Sequence, residues 1–189
     1  MSLRKLATDA LAVALEYADA GTVEVGGNNR GDQVEWFQHT TGGAAGESWC
    51  ADFVFACFLK AWCNGKGLLT GADAAANRAI MLAHADAMSK ETGIPRTGYC
   101  PQVARSAKLQ GRFKKAGDAP LPGDLVLYDF GKQGEPHHIG FVVEVMASGS
   151  LRTVEGNTSG PSGGSQSDGG GVYQKVRGSA FVFGFVSFR

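Results

Sequence analysis

The chain has 189 residues, 43% apolar and 19% charged, enough to bury a core and unlike the composition of a disordered segment. Lys+Arg and Asp+Glu number 18 each, which excludes bulk attraction to nucleic acid or to an anionic membrane. The longest apolar runs, Phe53–Leu59 and Phe181–Phe188, fall short of the roughly 18 residues of a membrane span.

The first predicted helix covers Ser2–Ala20, where Leu3, Leu6, Ala10, Val13 and Tyr17 recur at three- and four-residue steps. Asp9 and Glu16 interrupt what would be the apolar region of an export signal, so the segment reads as part of the folded domain. Further helices are predicted over Asp32–His39, Trp49–Trp62, Asp73–Ser89 and Tyr99–Leu109, punctuated by the Gly- and Asn-rich loops at 26–31 and 40–47. Residues 96–115 carry six basic side chains (Arg96, Arg105, Lys108, Arg112, Lys114, Lys115) and no acid. They read as a solvated helix face, with contact to an anionic polymer as the alternative.

After Pro122 the pattern changes to short runs rich in β-branched and aromatic residues: Asp124–Phe130, His138–Val145, Leu151–Glu155, Val172–Arg177 and Phe181–Phe188. Helices followed by such a meander predict an α+β fold, with N-terminal helices packed on one face of a C-terminal antiparallel sheet. Gly156–Gly171 holds seven of the 28 glycines and is predicted as a solvent-facing loop able to rim a site.

Four cysteines occur, and their gaps match no paired zinc-ligand spacing, so no metal is expected. Cys57 and Cys63 lie in or beside an apolar helical run and read as packing residues, as do Trp36, Trp49 and Trp62. Cys50 differs. In ESWCADFVFACF it follows a Gly-rich loop and falls in the first turn of a predicted helix, where unpaired N–H groups and the helix dipole stabilise a thiolate.

A thiolate nucleophile needs a base, and the base needs a group to hold it. In HHIGFVVEV, His138 and Gly140 share one strand face, and the glycine leaves room for close approach; His137 points the other way. In LRTVEGNTS, Glu155 and Asn157 stand two apart at a strand end, and either can accept from the far ring nitrogen of His138.

Together these segments resemble the CHAP domain, the cysteine- and histidine-dependent amidohydrolases and peptidases of the NlpC-like, papain-related superfamily, and among them phage endolysins. The matching pieces, in family order, are EVGGNNRG, SWCADFV, PGDLVLYDF, HHIGFVVEV, TVEGNTS and GVYQKVR. The resemblance implies a single papain-like catalytic domain over residues 1–189, without a separate wall-binding domain. It implies Cys50 as nucleophile, His138 as general base and then acid, Glu155 as the residue orienting the imidazole, and Asn157 as its assistant.

The implied reaction is hydrolysis of a peptidoglycan amide, by an endopeptidase or an N-acetylmuramoyl-L-alanine amidase, without cofactor or metal. YDFGKQGEP keeps only Asp129 and Glu135 as carboxylates, too few for a calcium loop. An antibacterial effector with the same chemistry and a catalytically silent wall-binding module are the alternatives. A holin, an injection system or an immunity protein are the partners these settings imply, with action at the wall after release from the cytoplasm. The segment from Leu68 to Gly98 exceeds the family's spacing and reads as an extra surface helix, with a lid or a specificity insert as the alternatives.

Overall fold

The computed structural model describes residues 1–69, 71, 73–160, 165 and 169–189. Five helices come first: α1 (Leu3–Asp19), α2 (Asp32–Thr41), α3 (Cys50–Gly65), α4 (Ala74–Thr92) and α5 (Cys100–Leu109). Six strands follow: β1 (Phe113–Lys115), β2 (Leu125–Tyr128), β3 (His138–Val145), β4 (Leu151–Thr158), β5 (Gly171–Arg177) and β6 (Val182–Val186). All pairs are antiparallel and the order across the sheet is β1-β6-β2-β3-β4-β5. The predicted α+β architecture is the one observed.

The central element is α3, buried around nearly its whole circumference: Cys50 to Leu59, Ala61, Trp62 and Cys63 are all inaccessible. A helix apolar all round must be covered on every side. Here α1, α2 and α4 pack against it from one direction and β3 and β4 from the other. Phe53 and Phe58 meet Phe141 of β3 at ring distances of 6.4 and 5.5 Å, and Phe53 also meets Phe37 of α2 at 5.4 Å. Seating α3 in this aromatic core sets where its first residue, Cys50, ends up.

The α4 helix is capped by Asp73, whose carboxylate accepts from the N–H groups of Ala75 and Ala76 at 3.0 Å, and ended by Gly93 in the left-handed region (φ 71°). It buries Met81, Ala85 and Met88 against the other helices. Trp36, Trp49 and Trp62 are core residues; the Trp49 indole stacks on Phe37 at 5.7 Å and donates to Glu24 at 2.9 Å.

Two sequence expectations are revised. β1 lies inside the basic stretch, which is therefore not one helix face. Arg96 is tied to the Thr40 carbonyl and Asp86, Arg112 to the Thr92 carbonyl, and Lys108 lies over the Phe113 and Phe183 rings. β4 runs on to Thr158, so residues 156–158 are buried sheet, and Ser159 beyond them is buried too, not exposed loop. Of the remainder of the predicted loop, residues 161–164 and 166–168 lie outside the described residues.

Candidate active site

Cys50 is the first residue of α3, preceded by Trp49, whose carbonyl takes the first helical bond, from Phe53 N–H at 2.9 Å. The N–H groups of the first turn therefore point out of the helix toward the sulfur and whatever sits beside it. The thiol is 3% exposed and forms part of the floor of a groove of about 410 Å³, lined also by Ser48, Tyr99, Cys100, Glu135 and His137. A second hollow of similar size continues from it past Ser48, Gly98 and Tyr99 to Thr41, Glu47, Asp52 and Arg96. The two make an open trough of the kind an extended polymer can occupy.

His138 starts β3, directly across the ladder from Tyr128 of β2. Its ring is wholly buried, stacked 6.1 Å from Tyr128 and tilted against Phe130 at 5.9 Å. Nε2 meets the Glu155 carboxylate at 2.9 Å. That contact requires Gly140, because a Cβ there would sit 2.5 Å from Glu155 Cγ. With Nε2 donating to Glu155, Nδ1 is left as the basic nitrogen on the side of Cys50. Among the described residues Nδ1 makes no aligned hydrogen bond, yet the ring is near enough to Cys50 for each group to shift the other's ionisation. A charge effect needs only proximity, whereas catalytic hydrogen bonds often align only with substrate bound.

Glu155 is itself held from three sides. Thr153 donates to Oε1 at 2.6 Å, and the Arg177 guanidinium straddles both oxygens at 3.0 and 2.5 Å. Arg177 lies over the Tyr128 and Phe130 rings at 5.7 and 5.2 Å. This buried chain runs thiol, imidazole, carboxylate, guanidinium. Burial alone would raise the Glu155 pKa, but the bonds to His138 and Arg177 outweigh it and bring it to about 2. Burial would lower that of His138; its partners Cys50 and Glu155 reverse the sign and hold it near 9.

The Cys50 pKa is lowered well below the ordinary thiol value, first by a hydrogen bond from Cys100, whose sulfur lies 3.6 Å away, and then by His138 and the Ala51 N–H. Cys57 is raised well above it and Cys63 to about 11, both by burial. Alkylation of the native protein with iodoacetamide is therefore expected to modify Cys50 at a rate that starts to fall at a lower pH than that of a free thiol, which slows about tenfold per unit below its pKa near 8.5. A Cys50 rate that tracks the free thiol contradicts a stabilised thiolate.

Cys50, His138 and Glu155, predicted from separate segments, thus meet at one place. Asn157 does not join them: its amide oxygen and nitrogen are buried and make no hydrogen bond among the described residues. The cause is local. The β4–β5 register shifts between Glu155 and Thr158, and Asn157 adopts φ 54°, so the simple alternation that would set it beside Glu155 is broken. His137, half-exposed in the groove, pairs with Asp129 at 3.5 Å and offers its carbonyl 4.0 Å from the Cys50 sulfur.

Three neighbours were not singled out from sequence: Arg177, Cys100 and Asp52. The Asp52 carboxyl, bonded by the Thr41 hydroxyl, is pushed up to about 7 by burial. Among the described residues no cluster of His, Cys, Asp and Glu is arranged to hold a metal, and no helix is long and apolar enough to cross a membrane.

A helix-borne cysteine set against a histidine at the start of an antiparallel strand, with a carboxylate behind it, is the arrangement of the papain-like class. The family model of the CHAP domain matches residues 38–157, and the chain belongs to that family. CHAP domains are generally cysteine- and histidine-dependent amidohydrolases, amidases and peptidases of peptidoglycan. No curated protein and no solved structure matches the chain. The matched span holds Cys50, His138 and Glu155 and ends before Arg177.

Proposed function

We propose that this chain hydrolyses an amide bond of bacterial peptidoglycan, in the stem or cross-bridge peptide or between peptide and sugar, through a Cys50 thioester. The observation that carries the reading is the single buried chain from the Cys50 sulfur at a helix N-terminus, past His138, to Glu155. His138 holds the Cys50 proton, and the thiolate attacks the carbonyl carbon. The tetrahedral oxyanion takes hydrogen bonds from first-turn N–H groups of α3, Cys50's included. His138 then gives its proton from Nδ1 to the leaving amine, and water deprotonated by the same nitrogen hydrolyses the thioester. Glu155 stays ionised throughout, keeps the imidazole turned and stabilises the imidazolium.

The open trough on both sides of Tyr99 supports a polymeric substrate over a small enclosed one. Such a substrate lies outside the cytoplasmic membrane, so the wall is the place of action, whether in phage lysis or as an antibacterial effector. The test is digestion of purified walls with several cross-bridge types, with new termini identified by mass spectrometry. Free amino groups growing with time are expected, and their position distinguishes amidase from endopeptidase. No new terminus on any wall from a demonstrably folded protein overturns the proposal and favours a silent binding module.

A further inference from the structure

Cys100 is the first residue of α5, as Cys50 is the first of α3, so two helix N-termini converge on one pair of sulfurs. The sulfurs are 3.6 Å apart, buried and on the wall of the same groove, although fifty residues separate them in the chain. Both cysteines are free thiols. The other two cannot substitute: Cys57 and Cys63 lie further along α3, about 10 and 20 Å from Cys50 along the helix axis. A bond from either to Cys50 would require α3 to unwind. Cys100 is therefore the thiol placed to react with anything that forms on the Cys50 sulfur.

We propose that Cys50 and Cys100 are a reversible redox pair, which a hydroperoxide closes to a disulfide and a dithiol reductant reopens. The bond itself rests only on the placement of the two sulfurs; its consequence for activity rests on Cys50 being the nucleophile. In the first step the Cys50 thiolate attacks an oxygen of the peroxide. The O–O bond breaks, a sulfenic acid forms on Cys50, and hydroxide or alkoxide leaves and is protonated by water. In the second step the Cys100 sulfur attacks the sulfenic sulfur. The S–S bond forms, the S–O bond breaks, and the oxygen leaves as water, carrying the sulfenic proton and the Cys100 proton. Reduction returns two electrons and two protons to the pair.

The pairing asks for little movement. A disulfide needs sulfurs about 2.05 Å apart, so the gap closes by about 1.5 Å, shared between two side chains at helix starts. Selectivity comes from the thiolate character of Cys50, since Cys57 and Cys63 are kept protonated by burial. Protection follows as well, because a sulfenic acid captured by a neighbouring thiol does not go on to the irreversible sulfinic acid.

The experiment treats the full chain with several equivalents of hydrogen peroxide, one for the sulfenic acid and a second for any further step to sulfinic acid, blocks remaining thiols by alkylation and maps the peptides by mass spectrometry. The expected product has lost about two mass units and yields a peptide linking Cys50 to Cys100, and wall hydrolysis, lost on treatment, returns with dithiothreitol. In Cys100→Ser the same treatment leaves sulfinic acid on Cys50, and the activity recovered, relative to that variant's own untreated rate, is about tenfold lower. Oxygen adducts on wild-type Cys50 without the linked peptide overturn the proposal, as does equal recovery in Cys100→Ser. The linked peptide needs no variant, so misfolding of Cys100→Ser leaves the proposal testable. A linked peptide in a protein that never cleaves walls upholds the pair and removes the hydrolase reading instead.

Discussion

Replacing Cys50 by Ala, or His138 by Ala, is expected to lower wall hydrolysis by about 10⁴-fold or more, and the double replacement to cost no more than either alone. Non-additivity is the informative part. Thiolate and imidazole act as one unit, so once either is gone the other has nothing left to do. Neither change should unfold the protein, because α3 is held by Phe53, Phe58 and their aromatic neighbours and not by its first side chain. Initial rates of amine release, with melting curves of the three variants, check this. A double variant much slower than both singles contradicts a shared role.

The pH profile follows from the same pair. The His138 pKa is raised to about 9, so the imidazolium that protonates the leaving amine persists up to that pH, and the rate falls above it. The acid limb belongs to Cys50 and lies well below the ordinary thiol value.

Glu155→Gln is expected to hit catalysis and stability together. Gln keeps the shape and removes the charge. Its amide can donate to Nε2 of His138, which moves the ring proton to Nδ1 and leaves no base facing Cys50, a loss of about 10²- to 10⁴-fold in kcat. Arg177, buried against the aromatic rings, loses its carboxylate, at a cost of about 3 kcal/mol or more.

The sign of the pH dependence is fixed by the lowered Glu155 pKa. Its stabilisation is full above the unfolded value near 4.5 and is lost as pH falls toward about 2, so wild type and variant converge in stability over that interval. Adding Arg177→Met removes the buried positive charge that Glu155 had balanced. The double variant should regain stability without regaining rate, and denaturant melts beside kcat measure both. Recovery of the rate in that double variant contradicts an orienting role for Glu155.

Local chemistry explains how much of this was legible. The start of α3 at Cys50 could be read because a Gly-rich loop gives way to an apolar run there, and the face of His138 because strand alternation is strict up to Gly140. What escaped the sequence depends on register and tertiary contact. Arg177 reaches Glu155 only because β4 and β5 pair in one particular register, and Cys100 reaches Cys50 only because α5 starts where α3 does. β1 is three residues long with two exposed lysines, too short for a periodic signal. Asn157 looked like a partner of His138 because alternation was carried through a position where the chain turns left-handed.

The central claim is covalent: a wall acyl group passes through Cys50 on its way to water. Digestion of purified walls in the presence of hydroxylamine tests it most directly, because a thioester is open to a second nucleophile while direct attack by water is not. A share of the new carboxyl termini is expected as hydroxamates with the wild-type protein, rising with hydroxylamine concentration, and Cys50→Ala is expected to yield neither hydroxamate nor acid. Cleavage by Cys50→Ala at the wild-type rate, or wild-type cleavage whose termini are all carboxylic acids at every hydroxylamine concentration, contradicts it.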